Sequence, residues 1–248
     1  DHVDLAAWGA RGIPIATCPG INSGIVAELA IMLMLAGYRN LLQINRNLRE
    51  GHWPRTEYFD RSFMIRGKTV GILGLGHIGK KVAALVSAFG ANVIYYDIVR
   101  MHEQEEKYGY RFVDMDTLLR ESDIFTIHCP LDETTRGMIG RDEFAKMKDS
   151  CMLINTARGP IVDEDALVEA LTTGKIATAG LDTYAREPLP KDHPLLTLDN
   201  VVASAHAGGN TKDNHINMVN YVYSNIVKFD QGLPLNTDKD IVNAQYLK

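Results

Sequence analysis

Basic charge is the first thing this chain is short of. Lys and Arg total 26 against 31 Asp and Glu, for a net charge of −5. No basic stripe stands out, so a nucleic-acid partner is not expected. Cysteine is scarce as well. Cys18, Cys129 and Cys151 are odd in number and lack CxxC spacing, which argues against a disulfide scaffold and fits a reducing cytoplasm. No metal site is implied. Long hydrophobic runs are missing too. The most apolar stretch, Ile25 to Gly37, contains Glu28 and is too short to span a bilayer. No basic segment followed by an apolar core opens the chain, so neither an export signal nor a membrane partner is expected. There is no internal repeat and no low-complexity tract. The first residue is Asp1 rather than Met, as in a fragment or a processed product.

What is present is an ordinary globular composition, 46% hydrophobic and 23% charged over 248 residues, enough for one large domain or one and a half smaller ones. Asp4 to Gly12 reads as a short helix closed by glycine, and IPIATCPG as a strand and turn. A long helix is expected from about Ser23 to about Arg49. Its apolar residues surround nearly the whole circumference up to Leu35, so that half should be buried against a domain or a partner chain. From Lys68 the rhythm becomes strand, helix, strand. TVGILGLG, ANVIYYD, RFVD, DIFTIHCP, CMLINTA, IATAGLD and VVASAH are strand candidates, several of them continuous apolar runs as in strands covered on both faces. Helical stretches lie between some of them. This alternation predicts an α/β fold with a doubly wound parallel sheet. A final amphipathic helix is expected within residues 210–232.

GILGLGHIG places Gly74, Gly76 and Gly79 in GxGxxG spacing after a strand and at the start of a helix, and Asp97 follows 18 residues after Gly79 at the end of the next strand. These contexts together point to a dinucleotide site. Gly74 permits a tight turn, Gly76 lets the backbone approach a pyrophosphate, and Gly79 lets helix and strand pack closely. The helix N-terminus offers free N–H groups to the phosphates. Asp97 suits the ribose hydroxyls and repels a 2′-phosphate, so NAD is expected rather than NADP, with Arg100 near enough to soften the preference. His77 reads as a side chain along the pyrophosphate or in solvent, and His128 as one that lines the adenosine pocket or packs.

Three polar residues fall at the carboxyl ends of predicted strands, where open α/β sheets bind ligands. Arg158 ends CMLINTA, a strand with five apolar residues in its first seven. A cation leaving a buried strand is expected to face an anion that repays its desolvation. Glu187 follows IATAGLD, and His206 ends VVASA. A 2-oxo acid accepting hydride needs its carboxylate and carbonyl gripped, which a guanidinium does, and a proton for its oxygen, which histidine supplies. The histidine needs a carboxylate to orient it and favour its charged form. Each residue also has an ordinary structural reading, Arg158 and Glu187 as an ion pair and His206 as a satisfied turn residue.

With these residues in place, the sequence resembles the D-isomer-specific 2-hydroxyacid dehydrogenases. The likeness rests on GLGHIGKKVA, DIFTIHCPLDETTRGMIG, LINTARGPIVDEDALVEAL, AGLDTYAREPLP and AHAGGNT, in the family's order. It implies that Arg158 binds substrate, Glu187 pairs with the histidine and His206 is the acid/base. It implies NAD contacts from Gly74, Gly76, His77, Ile78, Gly79, Asp97, Cys129, Pro130, Thr156, Ala157, Arg158, Asp182 at the nicotinamide amide, His206 and Gly208. The substrate would be a small 2-hydroxy or 2-oxo acid and the assembly a homodimer built on the Ser23 helix. The resemblance further implies a Rossmann-like NAD-binding domain over 21–208, a remnant of a flavodoxin-like substrate domain over 1–20, and a returning C-terminal helix within 209–248. Ala205 stands where the family commonly has proline. Formate dehydrogenases of similar fold use a different constellation, and Glu187 beside His206 speaks against formate. The reading from another class is an NAD(H)-sensing protein or corepressor-like module without turnover; the three reactive residues argue against it.

Overall fold

The computed structural model describes residues 3–234 and 241–247. The chain forms two compact units, one of Val26–Gly208 and one drawn from both ends, Asp1–Ile25 with Gly209–Lys248. The helices are α1 (Leu5–Ala10), α2 (Ser23–Tyr38), α3 (Leu41–Arg49), α4 (His77–Ala88), α5 (His102–Tyr108), α6 (Met115–Glu121), α7 (Arg141–Lys146), α8 (Glu164–Thr172) and α9 (Lys212–Asp230). The strands are β1 (Thr69–Leu73), β2 (Asn92–Tyr96), β3 (Arg111–Phe112), β4 (Ile124–Ile127), β5 (Met152–Asn155), β6 (Thr178–Leu181) and β7 (Val201–Ala203).

All seven strands pair in parallel, in the order β3-β2-β1-β4-β5-β6-β7. The sequence leads to this sheet because its strands are apolar on both faces. Every residue of β4 and β5 is buried. One face carries a core that includes Leu118, Phe125, Phe144 and Leu167. The other carries Leu33, Met34, Ile72, Val82 and Tyr95. The chain runs outward from β1 to β3 and then crosses back to β4. The order therefore reverses between β1 and β4, and open α/β sheets bind ligands beyond the carboxyl ends at such a point. Caps fix the helix starts there: Asp114 accepts from the Thr117 amide and Asp163 from the Ala166 amide.

Two expectations are corrected. The long helix is two helices bent by 61°. Asn40, between them, takes a left-handed backbone with φ 49°. Its side-chain amide donates to the Arg61 carbonyl at 3.0 Å and the Ser62 hydroxyl at 3.2 Å, so a connector 21 residues away holds the break. On the first helix Ala30, Leu33 and Met34 are buried, while Met32 and Leu35 face outward. IPIATCPG forms no strand, only a single antiparallel bridge from Ala16 to Ile241. Among the described residues, no single helix is long and apolar enough to cross a membrane; α2 and α3 would qualify only together, across their bend.

In the smaller unit, buried Asn243 accepts from the Ile15 amide and donates to the Ile13 carbonyl. Most of the apolar side of α9 is exposed, including Val219, Val222, Ile226 and Phe229. Residues 1–2, 235–240 and 248, which belong to the expected terminal segments, lie outside the described residues.

At the amino end of the sheet, Asp123 accepts from the Thr69 amide and the Lys148 ammonium, both at 2.8 Å. Burial alone would raise its carboxyl pKa, but the Lys148 hydrogen bond and charge and the Thr69 amide outweigh it, so it lies below the ordinary value. A depressed carboxylate contributes stability above the unfolded-state pKa of about 3.9 and loses it as pH falls through the lower folded value. Asp123→Asn is expected to lower the urea midpoint at pH 7, with the gap to the unsubstituted chain closing towards pH 2. An equal gap at both pH values would remove Asp123 from this role.

Candidate active site

The glycine loop joins β1 to α4. Gly74 has φ 93°, and a Cβ there would stand 2.7 Å from the Cys129 amide nitrogen. A Cβ at Gly79 would stand 2.1 Å from the Gly74 carbonyl oxygen. Both positions therefore exclude a side chain. At Gly76 nothing lies within 4 Å of an added Cβ, so the outer face of the loop is open. Gly76 is the N-cap residue of α4 and supplies no side-chain cap. The first amides of the 12-residue helix thus remain available to an anion. His77 is exposed and Ile78 half-buried beside them.

Asp97, just past β2, is tied to the loop it was expected to serve. Its Oδ2 accepts from the Leu75 amide at 2.7 Å and its Oδ1 from the Val99 amide at 3.2 Å. Each oxygen keeps a lone pair for a ribose hydroxyl. Arg100 has a partner of its own. It forms a forked pair with Glu105, at 2.7 and 2.9 Å, and lies over the Phe112 ring. The Arg100 hydrogen bond leads in holding the Glu105 carboxyl down to about 2. Glu105 begins a contact set on α5, a helix the sequence did not announce.

On the β4 side, Cys129 packs against Gly74 and Pro130 is exposed. Burial pushes the Cys129 thiol up to about 11, so it stays protonated. His128 is tucked in, with Nε2 2.8 Å from the Thr126 hydroxyl, and burial pushes its pKa down to about 3. The His128 Nδ1 and the Thr156 hydroxyl, which follow adjacent strands, are buried without a hydrogen-bond partner. An open uncapped helix start, an acidic residue at the next strand end and unsatisfied polar atoms beyond β4 and β5 are what a dinucleotide would complete. The residues present fit NAD.

The three reactive candidates occupy successive strand exits. After β5, Asn155 shapes the turn: its Oδ1 accepts from the Ala157 amide and its Nδ2 donates to the Arg158 carbonyl, both at 3.0 Å. The Thr156–Ala157 backbone is buried but Arg158 is exposed. The expected desolvation of this cation is therefore not seen. Its guanidinium bonds the Ala157 carbonyl at 2.8 Å and contributes to lowering the Glu187 pKa.

After β7 the chain turns sharply, and His206 adopts φ 51°. The turn is held by Asp182, which is 1% exposed. Its carboxylate accepts from the Ser204 hydroxyl at 2.6 Å, the Ala207 amide at 2.8 Å and the Gly208 amide at 2.9 Å, while its own carbonyl accepts from the His206 amide at 2.8 Å. The resemblance implied Asp182 at the nicotinamide amide; in the structure its carboxylate holds the histidine turn. Gly208 is required there, since a Cβ would stand 2.9 Å from Asp182 Oδ2.

Glu187 Oε2 lies 2.6 Å from His206 Nδ1, and its Oε1 accepts from the Tyr184 amide at 3.0 Å. Burial pushes the Glu187 carboxyl up, but its bonds to His206 and the Tyr184 amide and the charges of His206 and Arg158 hold it below the ordinary value. Glu187 therefore stays ionised near neutrality and directs the His206 Nδ1 proton toward itself. Nε2 is the ring nitrogen that this contact leaves for another partner. Tyr184, which the sequence did not single out, links the two segments by donating to the Ser204 carbonyl at 2.8 Å.

Residues 31–208 match the family described as D-isomer specific 2-hydroxyacid dehydrogenase, NAD binding domain. The chain is 43% identical over 95% of its length to a D-3-phosphoglycerate dehydrogenase of Archaeoglobus fulgidus, of which it spans 44%. It is 37% identical over its full length to a glyoxylate reductase of Korarchaeum cryptofilum, of which it spans 74%. A crystal structure of an NAD-dependent formate dehydrogenase from Staphylococcus aureus in complex with NAD superposes with TM-score 0.87, at 34% identity, covering 98% of this chain and 72% of that one. The sheet order, the glycine loop and the extent of these matches agree: the chain belongs to the D-isomer specific 2-hydroxyacid dehydrogenase family and carries its NAD-binding domain.

Proposed function

We propose that this chain serves reversible hydride transfer between NAD(H) and a small D-2-hydroxy or 2-oxo acid. The observation that carries the reading is the His206–Glu187 pair at 2.6 Å, on strand exits next to that of Arg158 in an NAD-binding sheet. When bound, NADH would supply the hydride and NAD+ would accept it. The open α4 N-terminus would hold the diphosphate, and Asp97 would take the ribose hydroxyls. Arg158 grips the carboxylate and carbonyl of the acid. In the reducing direction His206 Nε2 gives a proton to the carbonyl oxygen. In the oxidising direction it takes the hydroxyl proton. Glu187 stabilises the charged imidazole throughout, as an opposite charge does.

The smaller unit reads as part of a substrate domain, supported by the exposed apolar side of α9 and by the greater length of the relatives. The cysteines form no disulfide, which supports a reducing cytoplasm. A homodimer is supported by exposed Leu41, Leu48, Trp53, Phe59 and Met64 on α3 and the connector after it.

His206→Gln is expected to cut NADH-dependent reduction of glyoxylate, hydroxypyruvate, phosphohydroxypyruvate or pyruvate by about a hundredfold or more while leaving NADH affinity unchanged. Surviving turnover would refute the acid/base role. NADH binding without oxidation by any of these acids in the unsubstituted protein would favour a sensor. Asp97→Ala is expected to weaken NADH binding by about tenfold or more and to narrow the preference over NADPH. Unchanged affinities would move ribose recognition elsewhere. Trp53→Lys is expected to shift sedimentation from dimer towards monomer; an unaltered dimer would exclude that face from the interface.

A further inference from the structure

A second histidine–glutamate pair lies behind the first. Glu164 opens α8, and His193 follows the Glu187 segment in the sequence REPLPKDHP. His193 Nε2 lies 3.1 Å from Glu164 Oε1, and both side chains are 19% exposed. His193 Nδ1 accepts from the Leu195 amide, which makes Nε2 the protonated nitrogen and the donor to Glu164. The other glutamate oxygen, Oε2, accepts from the Ala185 amide at 3.0 Å.

Adjacent amides of one short segment are thus divided between two glutamates. Tyr184 N–H goes to Glu187 and Ala185 N–H to Glu164. The same segment is pressed onto the arginine turn. A Cβ at Gly159 would fall 1.9 Å from the Tyr184 carbonyl carbon and 2.5 Å from the Ala185 nitrogen. Tyr184, 7% exposed and kept protonated by burial that pushes it up to about 12, donates to the Ser204 carbonyl at the base of the histidine turn. Residues 184–187 therefore touch the supports of all three reactive groups, and Glu164 is the side chain that fixes them from the helix side.

We propose that Glu164 and His193 are a positioning pair that holds the Glu187 carboxylate against His206 Nδ1. The proposal rests on the reading of His206 as the acid/base. Glu164 acts through the Ala185 amide, and His193 acts through Glu164. Glu164 meets two donors with two acceptor oxygens. A glutamine has one acceptor and must turn its own NH2 towards either Ala185 N–H or His193 Nε2–H. An unsatisfied amide then frees the segment and loosens the 2.6 Å contact of Glu187 with His206. The groups bearing on the His206 ring and its turn are Glu187, Arg158 and Asp182; the substitution alters none of them chemically.

The test is the solvent exchange of the His206 Nδ1–H proton, read by NMR in the protein without NAD or substrate, for Glu164→Gln and His193→Gln. The expected result is exchange faster by about tenfold or more, because the Glu187 oxygen no longer covers that proton. In turnover, kcat should fall about tenfold with the KM for NADH unchanged. Thermal unfolding serves as the folding control, and His193→Gln carries the test alone if Glu164→Gln does not fold. A folded variant whose Nδ1–H exchange is unchanged overturns the proposal, even if its Tm falls. Because the exchange measurement needs no substrate, this outcome is separate from a failure of the oxo-acid panel.

Discussion

One buried carboxylate carries the site. Asp182 is almost out of contact with water, where an unpartnered negative charge would be strongly unfavourable. Three donors within 2.9 Å satisfy it, and all three come from the turn that bears His206. That turn needs a left-handed backbone at a non-glycine residue, at a cost of about 1–3 kcal/mol. Hydrogen bonds to a charged acceptor contribute about 1.5–3 kcal/mol each. Three of them outweigh the strain, so the imidazole is held where an unconstrained chain would not put it.

The parallel sheet explains why so few contacts suffice. Its register aligns the ends of β4, β5, β6 and β7, so residues far apart in sequence leave the sheet side by side. Each exit has a local lock. Asn155 closes the turn before Arg158, Asp182 closes the turn around His206, and Glu187 binds back to the Tyr184 amide of its own segment. The locks are joined by Tyr184, whose hydroxyl crosses from the glutamate segment to the histidine turn. Rigid strands set the coarse placement, and side-chain to backbone bonds set the fine placement.

Much of this was legible in the sequence. Strands covered on both faces appear as apolar runs, and all seven were readable, as were the glycine loop and the three strand-end residues. What could not be read has a common cause: a residue's partner lies elsewhere in the chain. The break at Asn40 interrupts a pattern that continues to look helical, and carbonyl and hydroxyl groups at Arg61 and Ser62 decide it. HEQEEKY has no apolar stripe, so α5 gives no periodic signal. Arg100 looked available to a phosphate until Glu105 was seen to hold it. The family resemblance implies Asp182 as a cofactor residue, and only the fold reveals the three donors around it.

The same reasoning explains the openness of the reactive pair. The His206 and Glu187 side chains are 48% and 36% exposed. An ion pair in such surroundings is worth about 1 kcal/mol or less, because water competes for both charges. The Coulomb attraction at 4 Å grows from about 1 kcal/mol in water to about 4 kcal/mol at an effective dielectric of 20. In the proposed hydride transfer, an acid seated over Nε2 would remove water from one side of the ring, and the Glu187–His206 attraction would strengthen when the proton must be held. Arg158 is exposed as well, so in that reading the cation would meet a carboxylate without having borne the full cost of burial beforehand. Open side chains on rigid supports would then reconcile entry of a charged ligand with stronger pairing once it is bound.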